Sequence, residues 1–317
     1  VKMGFALGPA PSIWWIIIII VVFLIAMAVV VDYVTLWGVR DVFTDLQDSM
    51  MITCGEFGKF QYYGTAPTAF GVFTPETFAW QLSACFGTTL LNCGDTQPYV
   101  PSGATGVSFI TTPFPETPND AYWVMSFQMN GISYVVFSGT FWRWQWYRDM
   151  DFQEQQPSAL YDNKVRVHKG FLNMYMLVRT QLLALLKTLP AGLPVTIMGH
   201  SLGAALATLC FADVHKNKLL AQEFQGLFAA SPRVGNPAFS NSFLNMKRPW
   251  WRVTNDSDMV TQIPFPVMSS SIVYQHVGQQ ISPNVRWFNT NLGSLGKNHT
   301  VAYMMYAGIT DAKEKDL

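Results

Sequence analysis

The spacing of hydrophobic and polar residues from residue 121 onward predicts strands that alternate with helices. Two apolar stretches, "AYWVMSFQM" and "SYVVFSG", flank Asn130-Gly131, a dipeptide typical of a tight hairpin turn. The other predicted elements are a helix over 170–189, a strand over 193–200, a helix over 202–216, strands in "FQGLFAAS" and "WWRVTN", and a short helix in "NHTVAYMMYAG". This order indicates an α/β fold with a mostly parallel central sheet flanked by helices.

The beginning of the chain has a different pattern, because Ile13–Val31 is apolar throughout and carries no charge. As a helix this run would be roughly 28 Å long, close to the thickness of a bilayer's hydrocarbon core. One interpretation is a transmembrane anchor with its N-terminus in the cytosol, and the other is a signal peptide cleaved after Ala28. Both send the rest of the chain into the secretory pathway, as the luminal or extracellular domain of a single-pass membrane protein or as a secreted protein.

We therefore expect three parts in the chain. Residues 1–31 are the transmembrane or signal segment. Residues 32–120 are an N-terminal helix followed by an extension that packs on the core. Residues 55–120 are rich in Gly, Thr and Pro, so little regular structure is expected there. Residues 121–317 form the α/β core.

Composition narrows the classes of partner. Among the 317 residues, 20 basic side chains balance 20 acidic ones, so the net charge does not favour binding to nucleic acid. No spacing of Cys and His is typical of a zinc site, and we expect neither a metal nor a cofactor. In an oxidising compartment Cys85 and Cys93 could form a disulfide, or Cys54 with either of them. Cys210 lies in a predicted helix and is expected to be a buried thiol.

One short stretch, "VTIMGHSLGAALA", has the pattern of a nucleophilic site. It contains Gly-x-Ser-x-Gly as Gly199, Ser201 and Gly203, between a predicted strand and a predicted helix. A serine on such a sharp turn has its hydroxyl exposed above the sheet, and a Cβ at either glycine would collide with the neighbouring elements. The N-terminus of the next helix provides free N–H groups near a developing oxyanion. Ser201 is therefore the candidate nucleophile, and the backbone N–H of Leu202 is a candidate oxyanion donor.

A serine hydroxyl needs a base to take its proton and an acid to orient that base. In the fold that uses this turn, the acid and then the histidine follow the serine along the chain. His276 and His299 both satisfy that order. The other three histidines lie before the serine, beside it or on the next helix: His168, His200 and His215. In "TNDSDMV", which follows a predicted strand, Asp256 and Asp258 are both candidates for the acid.

Several ordered motifs together resemble the class 3 lipases, the fungal-type triacylglycerol lipase family of the α/β-hydrolase superfamily. "GHSLGAALA" is similar to that family's nucleophile elbow, "AASPRVGNPAF" to its PRVGN stretch, "VVFSGT" to its oxyanion strand and "VHKGF" to the start of the helix before the elbow. Two positions differ from the family pattern. Ser138 stands where the family usually has Arg, and "MVTQIP" after Asp258 is only loosely similar.

The resemblance implies roles for further residues. It places the acid at Asp258 and the base at His299, which begins "HTVAY", the stretch that resembles the head of the family's C-terminal segment. It implies that Thr140 is the second oxyanion donor and that His168 is a structural histidine bonded to backbone. The segment directly after Thr140 would be a mobile lid whose aromatic side chains contact substrate and the lipid surface: Phe141, Trp142, Trp144, Trp146 and Tyr147.

The expected function is that of a serine-dependent carboxylic ester hydrolase, a lipase that cleaves acyl esters of glycerolipids at a lipid–water interface through an acyl-enzyme. The first alternative is an esterase of the same fold that acts on soluble or wall-bound esters, such as feruloyl esters. The second is an inactive lipase-like protein that binds lipid, although no expected triad residue is missing. The membrane is a further expected partner through residues 13–31, and the oligomeric state is left open.

Overall fold

A mixed β-sheet lies at the centre of the part of the chain that the structure, a computed structural model, describes. The described residues are 60–94, 99–113, 120–140, 153–157, 164–278, 280–281, 299–300 and 302–303. Their strands are β1 (Thr105–Thr112), β2 (Ala121–Met129), β3 (Ile132–Phe137), β4 (Glu154–Gln155), β5 (Val167–His168), β6 (Val195–His200), β7 (Phe224–Ala229), β8 (Trp250–Val253) and β9 (Gln280–Ile281). Their α-helices are α1 (Pro75–Leu90), α2 (Lys169–Thr188), α3 (Leu202–Asn217) and α4 (Pro237–Leu244).

Within the described ranges, seven strands form one sheet in the order β1-β2-β3-β6-β7-β8-β9. β2 pairs antiparallel with both β1 and β3. The neighbouring strands β3, β6, β7, β8 and β9 pair parallel with one another. Asn130 and Gly131 form the turn between β2 and β3 with φ angles of 51° and 74°, so the predicted hairpin is confirmed. The predicted α/β fold with a mostly parallel sheet is confirmed as well.

Helices cover both faces of this sheet, because its strands direct apolar side chains alternately into two cores. On β3, Val135 and Phe137 belong to one core, and Tyr134 and Val136 belong to the other. α2 and α3 pack in the first core and α1 packs in the second. The bounds of α2 and α3 lie within one residue of the helices predicted over 170–189 and 202–216.

α1 and β1 contradict the expectation of little regular structure in residues 55–120. α1 begins after Thr74, whose side chain accepts a hydrogen bond from the backbone N–H of Thr77, and Pro75 takes its first position. The Gly, Ser and Thr residues in this helix have weak helix propensity, which is why composition suggested otherwise. Burial against the sheet overrides that propensity, since every residue from Phe78 to Leu90 is buried.

The cysteines differ in their bonding. Cys93 is disulfide-bonded, whereas Cys85 and Cys210 are buried free thiols. The alternatives that pair Cys85 are therefore wrong, because its thiol is enclosed within the packed face of α1. The expectation of a buried thiol at Cys210 is confirmed.

The apolar run Ile13–Val31 lies outside the described residues. Among the helices that are described, none is both long enough and apolar enough to cross a bilayer. The interpretation of residues 1–31 as an anchor or signal segment stays a prediction.

Candidate active site

Ser201 occupies a strained turn between β6 and α3. Its φ and ψ are 58° and −126°, a backbone conformation that residues other than glycine rarely adopt. Its N–H donates to the carbonyl of Ala229 on β7 at 3.0 Å, and its own carbonyl accepts from the N–H of Ala204 at 2.9 Å. Neighbouring elements therefore fix the turn on both sides. Leu202 is the first residue of α3, so its N–H has no acceptor within the helix.

The two glycines of the motif leave no room for a side chain. A Cβ at Gly199 would lie 2.2 Å from the carbonyl oxygen of Gly203. A Cβ at Gly203 would lie 2.4 Å from the carbonyl oxygen of Phe137, at the end of β3. The start of α3 thus packs directly on the end of β3, as the spacing of the motif predicts.

The segment Ser138–Thr140 continues from β3 beside this turn. The N–H of Ser138 donates to the carbonyl of Trp123 on β2 at 2.9 Å. A Cβ at Gly139 would lie 3.3 Å from the carbonyl oxygen of His200. The next residue, Thr140, is buried. Gly139 therefore lies close to the backbone of the elbow, and Thr140 is the next residue in the chain.

Asp258 and His299, which are 41 positions apart, meet in a buried contact. Nδ1 of His299 lies 3.0 Å from Oδ1 and 2.9 Å from Oδ2 of Asp258. A carboxylate can only accept, so Nδ1 carries the proton and donates it to this bond. That tautomer leaves Nε2 of the neutral ring with a free lone pair, which is the form that a general base requires.

Two further donors hold the Asp258 carboxylate. The hydroxyl of Tyr303 donates to Oδ2 at 2.8 Å, and the N–H of Val260 donates to Oδ1 at 2.9 Å. The Tyr303 oxygen also accepts from the N–H of Asn255 at 2.9 Å. Burial, and then the charge of Asp258, raise the pKa of Tyr303 well above its ordinary value. Sequence reasoning assigned no role to Tyr303, although it is the last residue of "HTVAY", the stretch that located His299.

His200 lies against His299 as well. Its Nε2–H donates to the backbone carbonyl of His299 at 2.8 Å, and the two rings are 4.7 Å apart. Phe86 of α1 packs edge-on against the His200 ring at 4.8 Å. Burial, and next the neighbouring His299, lower the pKa of His200 well below its ordinary value. His200 is therefore a neutral, fixed donor, a role that reasoning from the sequence missed.

The remaining candidates are placed elsewhere. His168 is buried at the start of α2, where its Nδ1 accepts from the N–H of Phe171 at 3.3 Å, as expected of a structural histidine. Nε2 of His276 donates to the carbonyl of Thr261 at 2.8 Å. Asp256 is exposed, whereas Asp258 is fully buried. The contact with His299 is made by Asp258.

The predicted lid residues, Phe141, Trp142, Trp144, Trp146 and Tyr147, lie outside the described residues. No group of three or more His, Cys, Asp or Glu side chains is arranged to hold a metal ion in the part of the chain that is described.

Comparison with known proteins adds to this geometry. Residues 134–268 match the family model described as Lipase (class 3). The chain is 31% identical over 153 residues to a lipase of Rhizomucor miehei, and the alignment covers 46% of this chain and 40% of that protein. It is 30% identical over 161 residues to the secreted mono- and diacylglycerol lipase A of Penicillium cyclopium, and the alignment covers 49% of this chain and 50% of that protein. The matches thus span half or less of these curated relatives.

A solved structure shares the fold. It is that of a triacylglycerol lipase whose catalytic centre is formed by a serine protease triad. The TM-score is 0.52 at 23% identity, over 68% of this chain and 82% of that one. The family match and the sheet with its elbow agree: residues 134–268 of this chain are similar to the class 3 lipases, a family of α/β-hydrolases.

Proposed function

We propose that this protein is a serine-dependent carboxylic ester hydrolase, a lipase that cleaves acyl esters of glycerolipids. The observation that carries the proposal is the buried contact of Nδ1 of His299 with both carboxylate oxygens of Asp258. It orients a general base in a chain whose elbow holds Ser201 in a strained turn. A serine in a strained turn is a weak nucleophile by itself, whereas a serine with an oriented base can attack an acyl group.

In the proposed first step, Nε2 of His299 takes the proton of the Ser201 hydroxyl as Oγ attacks the ester carbonyl carbon. The carbonyl double bond opens to an oxyanion, which the N–H groups of Leu202 and Thr140 stabilise. Asp258 stabilises the imidazolium that forms at His299. The tetrahedral intermediate then collapses, the alcohol leaves with the proton from Nε2, and the acyl group stays on Ser201.

The second step repeats the same proton transfers with water. Nε2 of His299 takes a proton from water, the hydroxide attacks the acyl-enzyme, and Ser201 leaves with the proton restored. The products are a carboxylic acid and the free enzyme. The proposed groups for this acyl transfer are the side chains of Ser201, His299 and Asp258 and the backbone N–H groups of Leu202 and Thr140.

A lipid rather than a soluble ester is favoured by the surface beside Asp258. From Met259 to Gln275 the chain has no Asp, Glu, Lys or Arg. Met259, Phe265 and Val267 in this stretch are exposed by 48%, 49% and 68% of their area. An exposed apolar stretch that carries no charge of its own suits contact with a lipid–water interface. The curated relatives, among them a secreted mono- and diacylglycerol lipase, support the same substrate class.

The aromatic segment after Thr140 stays the proposed lid. Its indole and phenol rings would cover the acyl groove in water and contact lipid when open.

The test is a substrate panel with purified protein. We expect hydrolysis of p-nitrophenyl esters and higher rates on triolein or phosphatidylcholine emulsions, with both activities lost in Ser201→Ala.

Phe265→Ser with Val267→Ser should lower the emulsion rate and leave p-nitrophenyl butyrate hydrolysis unchanged. Leu244→Ser is the matched control, because Leu244 is also an exposed apolar residue, at 71%, but lies on α4. Equal rates on soluble and emulsified esters would instead favour the feruloyl-type esterase, and no hydrolysis at all would favour an inactive lipid-binding protein.

We propose further that the protein enters the secretory pathway. The disulfide at Cys93 supports an oxidising compartment, and secreted relatives support the same route. Whether residues 13–31 anchor it is tested by alkaline carbonate extraction of membranes, together with N-terminal sequencing. A protein that stays in the pellet is anchored, whereas a new N-terminus after Ala28 indicates cleavage.

A further inference from the structure

The side chain of Thr89 connects α1 with the segment that carries Thr140. Its Oγ1 accepts a hydrogen bond from the N–H of Gly139 at 2.8 Å and donates one to the carbonyl of Cys85 at 3.1 Å. Thr89 is fully buried. The hydroxyl thus donates one hydrogen bond and accepts another, which determines its orientation.

Gly139 is confined between two groups. The position of a Cβ at Gly139 is 3.3 Å from Oγ1 of Thr89 and 3.3 Å from the carbonyl oxygen of His200. Gly139 thus bonds to α1 through its N–H and also lies close to the backbone of the elbow. A buried N–H without an acceptor is costly, so the hydroxyl of Thr89 favours this one placement of the Gly139 backbone.

The end of α1 is itself fixed to the sheet. The side-chain amide of Asn92 donates to the carbonyl of Thr89 at 3.0 Å and accepts from the N–H of Tyr122 on β2 at 2.9 Å. Asn92 thus links Thr89 to β2, and this link fixes the position of the Thr89 hydroxyl relative to the sheet.

We propose that Thr89 is a positioning residue of the oxyanion hole, which holds Ser138–Thr140 so that the N–H of Thr140 points at the developing oxyanion. This inference rests on the proposed ester hydrolase function. The hydroxyl of Ser138, where the family resemblance leads us to expect an Arg, donates to the carbonyl of the next residue, Gly139, at 3.1 Å. The N–H of Gly139 is held by a neutral hydroxyl on α1, outside residues 134–268 that match the family model.

The test compares two buried threonines that are neighbours on α1. Thr89→Val removes the hydroxyl that binds Gly139 and keeps the shape of the side chain. Thr88→Val is the matched control, since the Thr88 hydroxyl bonds to the carbonyl of Ala84, within the helix. On p-nitrophenyl butyrate we expect kcat of Thr89→Val to fall about tenfold with KM unchanged, less than the roughly 10²–10³-fold loss that follows removal of an oxyanion donor. Thr89→Ser keeps the hydroxyl and should restore most of kcat.

A second measurement separates positioning from general stability. An alkyl boronic acid forms a tetrahedral, anionic adduct with a serine hydroxyl, so its affinity should fall in parallel with kcat in Thr89→Val. A kcat and boronate affinity equal to those of Thr88→Val would overturn the proposal, and so would a loss in Thr89→Ser as large as in Thr89→Val. If Thr89→Val does not fold, Thr89→Cys takes its place with the same expected losses, because a thiol is a weak acceptor. Failure of the ester hydrolase proposal is seen separately, as hydrolysis that persists in Ser201→Ala.

Discussion

The ring of His200 donates its Nε2–H to the backbone carbonyl of His299 at 2.8 Å, across 99 positions of the chain. The residue beside the nucleophile therefore fixes the backbone of the proposed base. His200→Leu should lower kcat by roughly 10-fold to 100-fold without a change in KM, since a base displaced by a fraction of an ångström misses the serine proton.

His200→Gln is the matched variant, because its amide can donate to the same carbonyl. Steady-state kinetics on a soluble ester should show Gln retaining much of the activity that Leu loses. Equal losses in the two variants would show that the aromatic ring, rather than its hydrogen bond, is what matters at this position.

Two Asp→Asn substitutions test which of two nearby carboxylates is the acid that orients His299. Asp258→Asn replaces the acceptor that fixes the tautomer of His299, so kcat should fall by roughly 10³–10⁴-fold, the loss that this change causes in serine triads. Asp256→Asn changes an exposed side chain and should leave kcat within about twofold. Comparable losses in both variants, or a greater loss at Asp256, would contradict the assignment of the acid.

The packing of the elbow predicts a large difference between two glycines. Gly203→Ala places a Cβ against the carbonyl of Phe137 and should destabilise the fold by at least roughly 2–3 kcal/mol. A Cβ at Gly192 meets nothing within 4 Å, so Gly192→Ala should be neutral or stabilise by up to about 1 kcal/mol. Urea unfolding followed by tryptophan fluorescence measures both, and a similar midpoint for the two variants would contradict the close contact of α3 with β3.

The lowered pKa of His276 predicts how the stability of the fold depends on pH. Burial, and then the charges of Arg252 and Arg233, lower its pKa to about 3, against roughly 6.5 in an unfolded chain. Between these values the unfolded state binds more protons, so stability is full above about pH 6.5 and declines as the pH falls toward 3. His276→Gln should make the decline of the urea midpoint between pH 7 and pH 4 shallower. At pH 8 the two proteins should agree, and parallel curves at lower pH would show that other groups cause the acid sensitivity.

Local patterns predicted the elements that surround the elbow, because strand, glycines and helix are contiguous there. The hairpin at Asn130-Gly131 and the bounds of α2 and α3 follow from turn chemistry and periodicity in the same way. α1 was missed because Gly87, Thr88 and Thr89 are poor helix formers, and only burial against the sheet compensates for that.

The candidate site was predictable only in part. Asp258 and His299 were located by resemblance to a family, since the residues alone left Asp256 and His276 open. The contacts of Thr89 with Gly139 and of His200 with His299 join residues 50 and 99 positions apart. Such contacts depend on how the helices pack on the sheet, which no local pattern encodes.

The central claim is that Ser201 forms the acyl-enzyme, and covalent labelling tests it most directly. Diethyl p-nitrophenyl phosphate transfers its diethylphosphoryl group to an activated serine and releases p-nitrophenol. Intact mass spectrometry and peptide mapping should find one such group per chain, on the peptide that contains Ser201, with a matching loss of ester hydrolysis. Ser201→Ala should be neither labelled nor active. Labelling at another residue, or ester hydrolysis that persists in Ser201→Ala, would contradict the claim.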